Sequence, residues 1–467
     1  MCGLAVEPAE FGTEVRGYAP DDPVHAVQVG RGAHRSAGIW SRNQWAARED
    51  TMPSSAYITV FGHEIKYAFG MRLRYNYRLY PAPGQQQALA RSFGCARVVF
   101  NDGLRIRQQA YQAGQPYVTD GELSARLTAA KATSERTWLN DVSAVVLQQA
   151  QADLNAAYRN FFASIKGRRK GPKSNPPRFR SRKDHRQAIR FTANARFKVL
   201  PNGKLRLPKI GDVPVRWSRP LPSEPSSVTV IQDSAGRYFA SFVIEAGPGA
   251  LQRTESVIGI DLGLKHFAIL SDGRKIASPR FLRRAEKKLR RAQRALSRKQ
   301  EDSRNRDKAR LKVAGAHARV ADARRDFHHQ LSTALIRDNQ AVAVEDLAVR
   351  GLARTRLAKS VHDAGWSGFV AMLEYKARLH GRAFIKIGRF EPTTRTCSAC
   401  GIKDGPKPLH VRAWQCPACG VWLDRDVNAA VNVAKAAGLA VTACRAQVKP
   451  GLAVAPRSEA GTLRGAA

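Results

Sequence analysis

The chain has 467 residues, of which 78 are Lys or Arg and 38 are Asp or Glu, so its formal net charge is +40. Such a basic excess favours nucleic acid as the partner over a surface that is basic only for solubility. The sequence contains no apolar run approaching the roughly 20 residues of a membrane-spanning helix, and no secretory signal, which indicates an intracellular protein.

The two ends of the chain differ from the rest. Residues 1–70 mix acidic and small residues without a sustained period, so we expect them to be poorly ordered. Residues 71–80 then alternate like a strand, directly after Met71. A start codon assigned too far upstream would explain the leader, and we expect it to be dispensable. The tail, residues 441–467, is expected to be disordered.

The next part of the chain alternates helical patterns with basic segments. Apolar residues at helical spacing predict helices over about 85–111 and 143–165. A basic loop follows at 166–183, interrupted by Phe179. A solvated charge run is the ordinary interpretation, but in so basic a chain we favour phosphate contacts. The candidate contacts in this loop are Arg168, Arg169, Lys170, Arg178 and Arg180.

A β-rich segment and a second basic segment come next. Residues 188–247 form short alternating runs separated by glycine-containing turns, which predicts a small barrel or sandwich. Residues 280–325 predict a long basic helix or a helical hairpin. Basic side chains cover most of its perimeter, so it would be stable against a polyanion or as a solvated arm. Its candidate nucleic-acid contacts are Arg283, Arg284, Lys287, Lys288 and Arg291.

Four of the seven cysteines form two Cys-x-x-Cys-Gly motifs at the spacing of a zinc ribbon. The candidate ligands are Cys397, Cys400, Cys416 and Cys419. Free core thiols or disulfides are the alternatives, and this spacing disfavours both. A closed site of four thiolates is structural, so we expect one Zn²⁺ that folds a small module.

Three acids follow apolar runs or begin a small-residue helix: Asp261, Glu345 and Asp426. Carboxylates that converge on one sheet suit two Mg²⁺ or Mn²⁺ ions, which can activate water and stabilise the leaving oxygen of a phosphodiester. Gly259 and Gly263 flank the first acid and would let a large substrate approach. Asp346 would face the opposite side of its strand. His266 is an alternative base, but it follows the strand and is more typical of a surface or packing residue.

Asp424 competes with Asp426 for the third role. We favour Asp426, since Ala429 and Ala430 lie three and four positions later and predict a close-packed helix beneath that acid. Asn428 would then support the orientation of Asp426.

Taken in order, these motifs form a specific set. They are Gly-Ile-Asp-Leu-Gly at 259–263, Val-Glu-Asp-Leu at 344–347, Asp-Ala-Gly-Trp-Ser-Gly-Phe at 363–369, the two cysteine motifs, and Asp-Arg-Asp-Val-Asn-Ala-Ala at 424–430. The set resembles the signature of the TnpB (OrfB) proteins of insertion sequences, which are related to compact type V CRISPR nucleases. The resemblance covers about residues 71–439.

The resemblance implies an α/β RNase H-like (RuvC-type) nuclease domain with a zinc-ribbon insertion, a small β-barrel wedge domain and a helical recognition domain. The implied division is a first wedge strand at 71–82, recognition helices at 83–186, the wedge barrel at 187–250, the nuclease at 251–390 with its basic helical insertion at 280–325, the ribbon at 391–422, and the last nuclease motif at 423–440.

The family's catalytic acids correspond to Asp261, Glu345 and Asp426, and its zinc ligands to the four cysteines. Its members use a transposon-encoded guide RNA to cut double-stranded DNA beside a short flanking motif. We therefore expect a monomeric ribonucleoprotein in the bacterial cytoplasm, associated with the nucleoid. Two alternatives remain: a nuclease-dead RNA-guided repressor, which the three acids argue against, and a DNA transposase, recombination accessory protein or junction resolvase.

Overall fold

The structure is a computed structural model that describes residues 55–60, 63–68, 71–184, 186–247, 249–408 and 410–439. The predicted disordered tail, 441–467, lies outside the described residues, as do residues 1–54. Among the described residues, none of the helices combines the length and the apolar character needed to cross a membrane.

Part of the leader forms a β-hairpin. Strand β1 (Ser55–Val60) pairs antiparallel with β2 (His63–Ala68), and β2 lies beside the helix at residues 366–380. The prediction of poor order is wrong for these two segments. Both are rich in β-branched and aromatic residues, a strand composition that the wider stretch obscured.

An antiparallel seven-stranded sheet follows, in the spatial order β4-β8-β9-β3-β7-β6-β5. Its strands are β3 (Met71–Leu79), β4 (Gln187–Thr192), β5 (Lys198–Val199), β6 (Lys204–Leu207), β7 (Gly211–Arg216), β8 (Ser227–Gln232) and β9 (Tyr238–Ala246). β3 pairs along its whole length with β9 but only through its last two residues with β7. Within the described residues β4 and β5 do not pair, so the hydrogen bonds leave the sheet open.

Helices pack on this sheet and share its core. They are α1 (Pro83–Gln112), α2 (Asp120–Ala132) and α3 (Ala144–Ile165), with short 3-10 turns at Thr137–Asp141 and Ala193–Ala195. One continuous cluster joins Leu104 and Leu154 of the helices to Phe191 and Phe242 of the sheet. The helices predicted at 85–111 and 143–165 are confirmed. α2 was not predicted, because only two of its side chains are buried.

The second sheet is mixed and has the order β12-β11-β10-β13-β14. Its strands are β10 (Val257–Asp261), β11 (His266–Leu270), β12 (Lys275–Ala277), β13 (Ala341–Glu345) and β14 (Ala383–Ile387). β10, β13 and β14 are parallel neighbours, whereas β11 and β12 continue the sheet antiparallel. The α/β character predicted for this region is confirmed by these elements, whereas its RNase H-like classification stays a prediction.

Helices cover both faces of the mixed sheet. They are α4 (Phe281–Ser297), α5 (Arg304–Asp338), α6 (Val349–Leu352), α7 (Ala358–Ala364), α8 (Trp366–His380) and α9 (Arg425–Ala436). α5 and α8 pack on one face through a core that includes Phe267 and Phe369, and α9 packs on the other. α4 and α5 form the predicted helical hairpin. A two-stranded ribbon, β15 (Ala413–Gln415) and β16 (Trp422–Asp424), precedes α9.

Candidate functional site

Two of the predicted acids lie at adjacent strand ends. β10 and β13 run parallel, and their last paired residues are Ile260 and Val344. Asp261 and Glu345 follow directly on each strand. Because the carboxyl ends of parallel neighbours meet at one edge of a sheet, both carboxylates lie at that edge, about one strand spacing of 4.8 Å apart at the backbone.

The third acid is brought to this edge by a close contact between α9 and β10. A Cβ atom placed on Gly259 would lie 2.2 Å from the carbonyl oxygen of Ala430. Asp261 shares a strand face with Gly259, and Asp426 lies one helical turn before Ala430. The two acids therefore extend in the same direction from one contact. Gly259 serves helix packing, so its predicted role in admitting substrate is wrong.

The electrostatics of the site agree with this convergence. Burial, together with the smaller effects of the neighbouring charges of Glu345 and Asp426, raises the pKa of Asp261 from 3.8 to about 7. Burial also raises the pKa of Glu345. Three like charges in a partly desolvated edge favour a bound cation or a retained proton.

Asp424 has a different position from Asp426. One Asp424 oxygen caps α9 by accepting the backbone N–H groups of Asp426 and Val427 at 3.1 and 3.0 Å. Its other oxygen accepts Lys275 Nζ at 2.5 Å. Within the described residues, the side chain of Asp426 makes one long contact, 3.5 Å, with Arg412 Nη1. Asp424 is thus engaged in capping and an ion pair, which leaves the carboxylate of Asp426 available as a ligand.

The three acids fit a site for hard divalent cations. All of them offer carboxylate oxygen, the donor that Mg²⁺ and Mn²⁺ prefer.

Several basic side chains near these acids were not predicted. Arg412 belongs to the ribbon segment and reaches Asp426, and the charge of Arg425 lowers the pKa of Asp261 against the larger effects that raise it. Arg389 donates to Asp346 at 2.9 Å, which accounts for that exposed carboxylate. No motif spacing signals these contacts, because each joins segments that are distant in sequence.

The four motif cysteines form one cluster. Their sulfur atoms all lie within 4.8 Å of one another. Sγ of Cys397 lies 3.8 Å from Sγ of Cys419, and Sγ of Cys400 lies 3.7 Å from Sγ of Cys416. A tetrahedral ion with bonds of about 2.3 Å requires sulfur–sulfur edges of roughly 3.8 Å. The cluster therefore fits Zn²⁺.

Both cysteine turns, here called the first knuckle (residues 396–401) and the second knuckle (residues 415–420), have the same backbone design. Gly401 N–H donates to the Cys397 carbonyl and Gly420 N–H to the Cys416 carbonyl, each at 2.9 Å. The two glycines adopt φ values of 80° and 68°. A left-handed residue closes each turn, so glycine is the residue type that fits without strain.

Asn428 does not orient Asp426. Its Oδ1 accepts the Ser398 N–H at 2.7 Å, and its Nδ2 donates to the Thr396 carbonyl at 2.8 Å. Residues two apart on a helix point to different sides, so Asn428 faces the first knuckle while Asp426 faces the strand ends. The prediction that the Asn428 side chain directly supports the orientation of Asp426 is therefore wrong.

The basic loop is only partly available for phosphate contacts. The side chains of Arg168, Arg169, Lys170 and Arg178 are exposed. Arg180 instead lies 3.8 Å from the ring centroid of Phe100 and pairs with Asp153 at 3.4 Å. Asn101 also bonds both backbone groups of Arg180. Arg180 therefore anchors the loop to α1 and α3 and makes a poor nucleic-acid contact.

The basic hairpin is fixed to α7 by a motif residue. Asp363, which is buried, accepts the backbone N–H groups of Leu282 and Arg283 at 2.8 and 3.2 Å and so caps α4. α4 buries only Leu289. The remaining candidates are exposed on its surface: Arg283, Arg284, Lys287, Lys288 and Arg291. Their arrangement is compatible with a polyanion along α4.

Comparison with known proteins identifies the family. Residues 241–356 match the OrfB_IS605 family, described as "Probable transposase", residues 366–433 match the Cas12f1-like TNB domain, and residues 71–116 match the helix-turn-helix domain of OrfB_IS605. Among solved structures, the chain is similar to a protein in a Cas12f1–sgRNA–target DNA complex. The similarity covers 78% of this chain and 98% of that protein, at 13% identity and a TM-score of 0.41.

Two relatives align with most of the chain. One from Streptomyces pristinaespiralis, named "Putative RNA-guided DNA endonuclease", is 44% identical over 380 residues, or 80% of this chain and 92% of the relative. Another from Escherichia coli K12, named "Putative RNA-guided DNA endonuclease InsQ", is 31% identical over 81% of this chain and 95% of its own. The chain therefore belongs to the TnpB (OrfB) family of insertion-sequence RNA-guided nucleases.

Proposed function

We propose that this chain is an RNA-guided DNA endonuclease of an insertion sequence, with Asp261, Glu345 and Asp426 as its active site. The observation that carries the nuclease proposal is their convergence at one sheet edge, where burial and then the charges of Glu345 and Asp426 raise the pKa of Asp261 to about 7. Strongly perturbed carboxylates grouped at a sheet edge are typical of functional sites. The RNA-guided part rests on the relatives, which are named for that activity and align with about four fifths of the chain.

The proposed chemistry is hydrolysis of a DNA phosphodiester. Two Mg²⁺ or Mn²⁺ ions would activate the attacking water and stabilise the leaving oxygen. Asp261 and Glu345 offer their oxygens from rigid strand ends, and Asp426 offers its oxygen from the first turn of α9. Asp424 holds that turn in place through its capping bonds. A zinc ion in the cysteine cluster would be structural, since four thiolates leave no open position for a substrate.

The guide RNA and the target DNA are proposed to lie along the exposed basic surfaces of α4 and of the loop at 166–183. Their positive charge is far larger than the fold needs, and the acidic edge alone would repel a phosphodiester. The domain division given above and the monomeric ribonucleoprotein are part of this proposal.

The test is a cleavage assay on the full chain purified with its RNA, in which RNase treatment, add-back of the element's own transcript, and Asp261→Ala are compared. We expect sequence-specific, Mg²⁺-dependent cutting that is lost with RNase, restored by the transcript, and absent in Asp261→Ala while DNA binding persists. Guided binding without cutting by the unaltered protein would indicate the repressor. Full specific cutting without RNA would indicate the transposase.

A further inference from the structure

Three polar side chains on one side of α9 bond the backbone of the first knuckle. They are spaced four and three residues apart, so they lie along one helical face. Asn428 bonds Ser398 N–H at 2.7 Å and the Thr396 carbonyl at 2.8 Å. Asn432 donates to the same Thr396 carbonyl at 2.7 Å, and Lys435 Nζ donates to the Ser398 carbonyl at 2.5 Å. We call Asn428, Asn432 and Lys435 the clamp residues.

Asn428 and Asn432 hold the two peptide groups that flank Cys397, and Lys435 holds the next one through the Ser398 carbonyl. This cysteine is 1% exposed, and Ser398 and Asn428 are fully buried, so water has little access to replace these bonds. Asn432 also donates to the carbonyl of Thr393 at 2.8 Å, which extends the contact to the start of the ribbon. Buried hydrogen bonds of this kind fix a backbone because an unpaired partner is costly.

The same helix carries one of the proposed metal ligands. Asp426 lies in its first turn, and Val427 and Val431 pack in one apolar cluster with Cys397 and Cys416. On its other side, α9 contacts β10 and β13. α9 is therefore packed between the cysteine cluster and the strands that carry the other two acids.

We propose that the clamp residues couple zinc occupancy of the cysteine cluster to the position of Asp426, so that a zinc-bound first knuckle holds the start of α9 against the strand ends. The catalytic consequence rests on the proposed nuclease function, whereas the coupling itself does not. The clamp residues bond backbone groups of the first knuckle and are therefore positioning residues.

The physical basis is that zinc constrains the first knuckle. A zinc ion held by the four cysteines would tie the two knuckles together. The backbone groups of Thr396 and Ser398 would then stay within hydrogen-bonding distance of Asn428 and Asn432. Without zinc, the first knuckle is free to leave, and the buried amide side chains lose their partners. The start of α9 then loses its bonds to the first knuckle and frays, and Asp426 moves with it.

The test uses the full-length, zinc-loaded protein and two readouts that need no nuclease activity. The first is the rate of zinc transfer to a chelator. The second is hydrogen exchange of the amides at 426–431, compared with and without zinc. Asn432→Asp keeps the side-chain shape but sets an acceptor against two carbonyls. Lys435→Met removes one bond at the exposed end of the clamp, and Lys435→Arg restores a donor. Gln415→Ala is the control, because its bond to Gly420 lies inside the second knuckle.

We expect zinc removal to increase exchange at 426–431, and Asn432→Asp to weaken zinc binding about 10–100-fold, as loss of a partner behind a ligand does. Lys435→Met should have a smaller effect that Lys435→Arg reverses, and Gln415→Ala should leave exchange in α9 unchanged. In cleavage assays, Asn432→Asp should raise the half-saturating Mg²⁺ concentration without weakening DNA binding.

Unchanged exchange at 426–431 after zinc removal would overturn the coupling. Should Asn432→Asp not fold, Lys435→Met decides instead: zinc release and α9 exchange equal to those of the unaltered protein would overturn the clamp. A protein that never cleaves DNA would overturn the proposed function alone, because zinc release and exchange are measured without cleavage.

Discussion

Gly259 and Ala430 approach so closely that no side chain fits between their backbones, since a Cβ atom on Gly259 would lie 2.2 Å from the carbonyl oxygen of Ala430. The same atom would lie 2.7 Å from the backbone nitrogen of Ala434. This contact sets the separation of β10 from α9. It therefore also sets the separation of Asp261 from Asp426. Asp261 lies two residues after Gly259 on β10, and Asp426 lies one helical turn before Ala430 on α9.

The first prediction is that Gly259→Ala impairs cleavage more than it impairs folding. The added methyl group must push α9 away from β10, at a cost of about 1–3 kcal/mol for an overpacked core. The displaced helix carries Asp426 out of position. Thermal unfolding and the Mg²⁺ dependence of cleavage are the measurements. Gly315→Ala is the control, because a Cβ there meets no atom within 4 Å in α5. Full cleavage by Gly259→Ala would contradict this role.

A second prediction separates Asp424 from Asp426. Asp424→Ala removes the cap of α9, worth about 1 kcal/mol, and the ion pair with Lys275, so we expect lower thermal stability with metal-dependent cleavage retained. Asp426→Ala should leave the melting temperature nearly unchanged and abolish cleavage. Asp424→Ser keeps a capping oxygen and should recover most of the stability. An inactive Asp424→Ser beside an active Asp426→Ala would reverse the assignment.

The sequence predicts the features that neighbouring residues determine better than the features that depend on long-range contacts. A few consecutive residues determine the strands that end at Asp261 and Glu345 and the two cysteine turns. These elements can therefore be predicted from the sequence. Gly259 was misinterpreted, because its neighbour α9 lies far along the chain. Asn428 was misassigned although helical geometry already places it away from Asp426.

The basic residues show the same limit. Composition indicated correctly that α4 has little core, since only Leu289 is buried. It could not distinguish Arg178, which is exposed, from Arg180, which stacks on Phe100 two sequence positions later. That distinction depends on which helix the loop crosses, and no periodicity encodes it.

A third prediction concerns pH. The pKa of Asp261 is raised from 3.8 to about 7, so the folded, metal-free protein binds this proton more tightly than the unfolded chain does. Its stability should therefore fall as pH rises between those two values, and Asp261→Asn should reduce that slope. Urea unfolding at several pH values in the presence of a chelator measures this change in the free energy of unfolding with pH. A slope identical in the variant would contradict the pKa.

The raised pKa has a consequence for metal binding. Below about pH 7, a cation must displace the proton held by Asp261, so the half-saturating Mg²⁺ concentration for cleavage should rise as pH falls. The measurement is a Mg²⁺ titration of cleavage at several pH values, with DNA binding followed in parallel. Binding that weakens to the same extent as cleavage would point to the basic surfaces instead.

The fourth prediction is one tightly held zinc ion per chain. The sulfur–sulfur distances of 3.7 and 3.8 Å match the edges of a zinc tetrahedron. Elemental analysis of native protein should find this ion, and Cys416→Ser should lose it. Because Cys416 shares an apolar cluster with Val427 and Val431, the loss should lower protection from exchange in α9 as well as in the ribbon. Zinc-free native protein with an intact ribbon would contradict the assignment.

The last prediction concerns the charge on α4. Within the described residues, none of its exposed cations Arg283, Arg284, Lys287 and Lys288 makes an ion pair with a carboxylate: Arg283 donates to the hydroxyl of Ser360, and Arg284 lies over the ring of Phe281. Uncompensated cations are the ones that release counterions when a polyanion binds. Changing all four to Gln should weaken RNA binding and lower the slope of log K against log salt by roughly 0.7–0.9 for each that contacts a phosphate.

The matched control changes four basic residues whose charges are already compensated by carboxylates: Arg206, Arg274, Arg337 and Arg378. Both variants lose the same net charge, so a general field effect predicts equal losses of RNA affinity, whereas a binding surface on α4 predicts a larger loss and a flatter salt dependence for its own variant. RNA filter binding over a range of salt concentrations distinguishes the two. Equal slopes would remove α4 from the proposed path of the nucleic acid and leave the exposed part of the loop at 166–183 as the remaining candidate.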